Sequence, residues 1–176
     1  GKFTAEIARL CARLPLALRI AASTLAERKD LSPADYIIQF REQRLRMLRS
    51  DDDPELNLVT TFNLSYKNLP TDVQAQWRML AVFPAAFDWQ AAAAVWNIDE
   101  GLTRKQLSDL LKYSLISYDE SSGQHSLHDL LIEFASLYLS DEERMTAEKR
   151  HSEYYLSVAE LADQLYLEGA EQILTG

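Results

Sequence analysis

Apolar residues recur at intervals of three and four along most of this 176-residue chain, the period of amphipathic helices rather than strands. Phe3, Ile7, Leu10, Cys11 and Leu14 predict a first helix. Pro15 must interrupt it, because proline lacks the N–H and its ring clashes with the preceding turn. Pro15 then opens a second helix at the first helical position, where proline is tolerated, with Leu18, Ala21, Ala22 and Leu25 on one face. Ser32-Pro33-Ala34-Asp35 is a start signal for a third helix through Ile37, Phe40, Met47 and Leu48. These three helices predict a small bundle over residues 1–50.

Ser50-Asp51-Asp52-Asp53-Pro54 joins like charges to a proline and is read as a boundary, with a linker at 51–55. Beyond it Val59, Phe62, Tyr66 and Leu69 share a helix face that Pro70 closes. Thr71-Asp72-Val73-Gln74 reads as a capping box for a helix carrying Val73, Trp77 and Leu80 inward. Asp88 is placed to cap a short helix through Val95 and Trp96, and Thr103-Arg104-Lys105-Gln106 to cap another with Leu107, Leu110 and Leu111 inward. The period changes once, between Leu115 and Leu127, where two short alternating runs flank Glu120-Ser121-Ser122-Gly123 and predict a β-hairpin. Three helices followed by a hairpin describe a winged helix over 56–139. Asp129 then stands where a helix with Leu130, Leu131, Phe134 and Tyr138 begins. Ser140-Asp141-Glu142-Glu143 boxes the start of a long last helix, over 140–176, with His151, Tyr154, Tyr155, Val158, Leu161 and Leu165 in register. The fold class expected is mainly α.

Composition narrows the function classes. A net charge of −9 and a pI near 4.8 oppose phosphate-backbone binding, which needs a concentrated surplus of Lys and Arg. Cys11 is the single cysteine, so an internal disulfide and a Cys-rich zinc site are excluded, and a reducing, cytoplasmic setting fits. No apolar run approaches the roughly 20 residues that span a bilayer. Gly1 in place of an initiator Met is read as the start of a piece excised from something longer. No G-x-x-x-x-G-K-[ST] run occurs, so this chain brings no P-loop of its own.

Two separated stretches, Cys11-Ala12-Arg13-Leu14-Pro15-Leu16-Ala17-Leu18 and Leu127-His128-Asp129-Leu130-Leu131, resemble the two nucleotide-sensing motifs of the NB-ARC or AP-ATPase proteins of the STAND NTPase family. Between them Ser65-Tyr66, Leu69-Pro70 and Phe83-Pro84 follow in the family's order. The resemblance implies the helical and winged-helix half of such a switch, of bacterial type, without its P-loop domain. It implies that Pro15, with Leu14 supporting it, packs on adenine where the family has Gly-Leu-Pro-Leu, with Arg13 in the glycine's place. It implies that His128 reaches the β-phosphate of ADP, with Asp129 capping the helix and orienting the histidine. ADP or ATP with Mg would be held in the full-length protein, not tightly by this piece. The partners implied are the P-loop domain of the same chain, a C-terminal repeat domain whose first helix is residues 140–176, and further copies of the protein on activation.

Blander readings stand beside it. Pro15 by itself is a helix break, and His128-Asp129 a capping pair. A metal site from His125, His128 and Asp129 matches no known ligand spacing. A winged-helix DNA-binding or transcription-regulatory module is the alternative function, opposed by Asp119 and Glu120 in the wing. A nucleotide-independent interaction module is a further alternative. No nucleophile motif such as G-x-S-x-G occurs, and this piece is expected not to be an enzyme.

Overall fold

The structure, a computed structural model, describes residues 2–46 and 54–175. Among these the chain is mainly helical, with one short two-stranded hairpin. Helices α1 (Lys2–Leu10), α2 (Pro15–Glu27) and α3 (Pro33–Arg46) form the N-terminal group. α1 packs on α3, and Glu6 ties the pair by accepting from Arg9 at 2.9 Å and Arg41 at 2.7 Å. Those two guanidinium groups pull the Glu6 carboxyl down to about 2. The Ser32 start signal is real: the Asp35 N–H donates to Ser32 Oγ at 3.1 Å. α2 turns inward through Ala17, Ile20, Ala21 and Thr24, whereas Ala22, expected inward, is exposed. Thr24 can face the core because its hydroxyl donates to the Ile20 carbonyl and meets Ser65 Oγ.

Helix α4 (Pro54–Lys67) starts within the expected linker, with Pro54 as its first residue; residues 51–53, and Met47 and Leu48 of the third predicted helix, lie outside the described residues. One amphipathic face was expected, but from Asn57 to Tyr66 every residue except Val59 is buried. α4 packs on α2 and α3 and also on α8 (Asp129–Tyr138), so it runs through the middle of the molecule. Phe62 and Tyr66 meet Trp77 of α5 (Thr71–Met79) and Phe134 of α8 in one aromatic cluster, with ring centroids 5.5 to 6.1 Å apart. The Trp77 indole N–H donates to the Leu115 carbonyl at 3.1 Å, so this buried ring leaves no polar atom orphaned.

Two expected caps are displaced. Pro70 occupies the N-cap place of α5 and Thr71 is already helical, so the Thr71 to Gln74 box does not form; the Gln74 amide donates to the Leu69 carbonyl instead. A 3₁₀ turn (Leu80–Val82) follows, then α6 (Trp89–Trp96), where Asp88 caps as expected by accepting from the Ala91 N–H at 2.7 Å. α7 (Glu100–Lys112) begins before Thr103 because the Asp99 carboxylate caps it, accepting from the Leu102 N–H at 3.0 Å. Thr103 is buried within the helix and donates to the Asp99 carbonyl.

Strands β1 (Ser117–Asp119) and β2 (Gln124–Ser126) pair antiparallel with Tyr118 opposite His125. The turn is closed by the Asp119 carboxylate, which accepts from Ser121 and Ser122, and by Gly123 at φ +70°, where a side chain would be strained. Phe87 exchanges both backbone hydrogen bonds with His125, which fastens the hairpin to the entrance of α6. α8 buries Leu131, Phe134 and Ala135, while Leu130 and Tyr138, expected inward, are largely exposed. α9 (Asp141–Thr175) opens with the expected capping box, Ser140 and Glu143 bonding each other's backbone N–H. Its first turns lie on α6, where Arg150 donates to the Val95 carbonyl at 3.0 Å. No described helix is long and apolar enough to cross a membrane.

Candidate functional site

The first sensing stretch is a turn between α1 and α2. The Arg13 N–H reaches back to the Ala8 carbonyl and the Ala12 N–H to that of Arg9, both at 3.0 Å, which closes the end of α1. This closure demands left-handed backbone at Ala12 and Arg13, with φ of 50° and 56°. That conformation costs a residue with a Cβ about 1–2 kcal/mol, and glycine adopts it freely. A glycine at the Arg13 position of the resembled motif therefore has a purely backbone rationale. Leu14 takes the N-cap place with extended backbone and packs, half-buried, against the core. Pro15 is the first residue of α2 and is exposed. The turn thus anchors Leu14 and presents the Pro15 ring to whatever lies outside.

The second stretch is built the same way. Leu127 packs half-buried against the core as the chain leaves β2, and His128 and Asp129 follow on the surface. The cap here is His128, not Asp129. Its Nδ1 accepts from the Leu130 N–H at 3.3 Å while its backbone is extended, and Asp129 is already in the first turn of α8. With Nδ1 accepting, the neutral imidazole carries its proton on Nε2, leaving a donor free to meet an acceptor from outside. Asp129 adds negative charge to the first turn and balances the helix dipole. No hydrogen bond, ion pair or ring contact among the described residues joins the Pro15 turn to the His128 turn.

The helices that follow the two turns, α2 and α8, are joined through α4 by buried and half-buried side chains. Thr24 of α2 meets Ser65 of α4 at 2.5 Å between hydroxyls. The next residue, Tyr66, accepts from Arg78 of α5, which also grips Glu143 at the head of α9. Tyr138, at the far end of α8, donates to Asn63 of α4 at 2.9 Å. Ser65-Tyr66 stands out as a dipeptide and Glu143 as part of the Ser140 capping box, but Thr24 and Arg78 carry no local signal, because each is defined by a neighbour far away in sequence.

The other candidate chemistries fare less well. Among the described residues no group of three His, Cys, Asp or Glu could hold a metal ion. His125 is buried between Phe87 and Tyr118, and burial, aided by Arg104, lowers its pKa. The helix that would enter a DNA groove is α7, and its cations are engaged: Arg104 with Glu100 and the face of Trp89, Lys105 and Lys112 with Asp109. Burial raises the Cys11 thiol pKa, outweighing the contact with Thr61 that lowers it, and makes Cys11 a poor nucleophile.

Comparison with known proteins gives a consistent but partial picture. No family model matches the chain. It is 28% identical over 162 residues to the regulatory protein AfsR of Streptomyces griseus and 28% identical over 165 residues to that of Streptomyces coelicolor. Each alignment covers 88% of this chain and 16% of the relative, so the chain spans about a sixth of the length of these proteins. Among solved structures, a Signal Transduction ATPase with Numerous Domains (STAND) protein with a tetratricopeptide repeat sensor from Pyrococcus horikoshii superposes with a TM-score of 0.49 and 16% identity, covering 82% of this chain and 22% of that one.

Proposed function

We propose that this chain is the regulatory helical and winged-helix part of a STAND-type signalling switch, and that it helps to hold a neighbouring P-loop domain in an inactive, ADP-bound arrangement. α1 to α3 would be the helical subdomain, α4 to α8 with the hairpin the winged-helix domain, and α9 the first helix of a C-terminal sensor array. The similarity to two regulatory proteins supports a regulatory role. The observation that carries the nucleotide reading is the matched construction of the two turns. In each, a leucine is anchored in the core, and the next residue, Pro15 or His128, is exposed at the head of a helix.

The residues fit a nucleotide at these two points. The Pro15 ring is a rigid apolar surface of the kind a base stacks on, and His128 offers an Nε2–H donor beside the positive end of α8, which favours an anion. ADP would supply the base and the phosphate that bridge the two turns; the Mg ligands and the remaining phosphate contacts would come from the P-loop domain, since this chain has no such motif. ADP favours the closed arrangement only to the extent that it binds that arrangement better than the open one, and His128 is the residue here through which it would do so. On this reading the piece is not itself a catalyst, and duplex DNA is not its ligand.

The test belongs in the longer protein. His128→Ala should raise the ADP off-rate by about tenfold or more, the loss of one hydrogen bond to a charged group, and should raise basal activity. Pro15→Ala should act more mildly, through lost packing. An unchanged ADP off-rate in the His128 variant counts against the assignment.

A further inference from the structure

His125 is a buried polar side chain whose bonding the fold leaves incomplete. It is 8% exposed, its Nδ1 is sealed from solvent without a partner, and Nε2, which is not sealed, has no hydrogen-bond partner either among the described residues. In the neutral ring the proton belongs on Nε2, because a buried nitrogen without a partner costs more as a donor than as an acceptor. The ring lines a pocket of about 170 Å³ between α6, α7 and the hairpin, with Leu107, Ser108 and Leu111 of α7 along one side. Tyr118, opposite His125 in the hairpin, stands 4.8 Å from it between ring centroids. Trp89 seats Arg104, whose guanidinium lies 4.3 Å over the indole ring. Glu100 takes only the Arg104 Nε, at 2.7 Å, and the two terminal nitrogens have no hydrogen-bond partner among the described residues. Asp88 is near enough to act on His125, but its carboxylate is engaged in capping α6. No carboxylate lines the pocket, although the chain carries a net charge of −9.

We propose that this pocket binds a small aromatic carboxylate, with its ring among Tyr118, Leu107 and Leu111 and its carboxylate on Arg104 and His125. Size and lining select the ring. The walls are largely apolar and aromatic, so a bare anion would leave them unfilled, and the volume is close to the roughly 150 Å³ that holds benzene in an apolar protein cavity. The unpartnered polar groups select the charge. The Arg104 terminal nitrogens are spaced for the two oxygens of a carboxylate, and the His125 Nε2–H is a further donor. A cation would be repelled by Arg104, and a hydrocarbon ring would leave both donors unserved. Glu100 is no obstacle, because both side chains of its pair with Arg104 are more than half exposed and such surface pairs hold weakly. One free guanidinium end suffices for one carboxylate, whereas a phosphate backbone needs many cations. The inference does not depend on the nucleotide reading of Pro15 and His128.

The test titrates the chain with benzoate, benzamide and benzylammonium, which share a ring and differ in charge, while NMR follows the His125 ring resonances. Benzoate should saturate them with a Kd below about 1 mM, at least about tenfold tighter than benzamide, and benzylammonium should leave them unmoved. Cyclohexanecarboxylate, which keeps the charge and loses the flat ring, should bind about threefold more weakly than benzoate. Arg104→Gln should erase the preference for benzoate over benzamide. Ser108→Trp, which fills the pocket from an exposed position, should abolish binding of both, and circular dichroism should stay unchanged in the two variants. No saturable shift with benzoate, equal binding of benzoate and benzamide, or a benzoate affinity indifferent to both substitutions would overturn the proposal. So would inorganic phosphate competing as strongly as benzoate, which would reduce the pocket to a plain anion site.

Discussion

Helix α4 and the outer half of α9 invert the usual relation between polarity and burial. α4 places Asn57, Thr60, Thr61, Asn63 and Ser65 in the interior, whereas α9 between Tyr155 and Glu168 holds nine apolar residues in water. The difference teaches that burial follows the supply of partners rather than side-chain type. α4 has helices on several sides, and most of its buried polar side chains find bonds: Asn63 with Tyr138 and Ser65 with Thr24 across helices, Thr61 with the Asn57 carbonyl within α4, while Asn57 Oδ1 stays buried without a partner. Once hydrogen-bonded, a buried hydroxyl or amide costs little, so a helix of mixed composition can serve as a core element. Among the described residues nothing reaches the outer half of α9, and its apolar stripe lies open.

The largest test of this contrast is Phe62→Ala. Phe62 is 1% exposed and meets the Phe134 ring edge-on at 5.5 Å, so truncation leaves a cavity at the junction of α4 and α8. We expect a loss of about 3–5 kcal/mol in urea unfolding. A loss below about 1 kcal/mol would mean that α4 is not the central helix.

Next comes the claim that polar burial in α4 is tolerated only because it is paired. Thr24 donates to the Ile20 carbonyl, so at the 2.5 Å contact Ser65 must be the donor and Thr24 the acceptor. Thr24→Val leaves a buried Ser65 hydroxyl without its acceptor and should cost about 1–3 kcal/mol. Adding Ser65→Ala removes the orphan, and the double variant should be less destabilised than the sum of the two single changes. Strict additivity would show that the two hydroxyls do not interact.

How far the sequence reveals this arrangement depends on where the determining partner lies. Helix positions, the Asp88 and Ser140 caps, the hairpin and the stripe of α9 follow from neighbours within a few residues, and all could be read directly. The same holds for the turns presenting Pro15 and His128, whose exposure follows from a proline start and a strand-to-helix junction. Misreadings came where two local signals compete: Thr103 looked like a cap only because Asp99, four residues before it, was overlooked, and Asp129 because a histidine is a rarer cap than an aspartate. The full burial of α4 was illegible, because Thr61 and Asn63 resemble solvent-facing residues until Cys11 and Tyr138 arrive from distant helices. The open face of α9 was half legible: the stripe announces itself, but not that this chain leaves it uncovered.

Glu143 stands at the head of α9, in the half that is seated on the body, and acid should weaken its hold. Burial works to raise its carboxyl, but Arg78 and the Ser140 N–H outweigh that and hold it below the ordinary glutamate value. A carboxylate depressed in the folded state adds stability that is fully present above its unfolded value, about 4.3, and is lost as pH falls through the folded one. Glu143→Gln should therefore be less stable than the native chain by about 1 kcal/mol at neutral pH, with the two urea midpoints converging below about pH 4. Parallel curves down to low pH would place the carboxyl outside the Arg78 contact.

The smallest effect is the most discriminating. Leu161→Ala removes the same atoms that would cost about 2–5 kcal/mol in a packed core. Here it should change the stability of the isolated chain by less than about 0.5 kcal/mol, because the side chain is already in water and alanine favours the helix. A core-sized loss would mean that α9 folds back or pairs with another copy, and the contrast with α4 would disappear. A negligible loss would separate the two places of leucine in this chain: Leu58 and Leu64 of α4 hold the fold together, and Leu161 of α9 stands clear of the core.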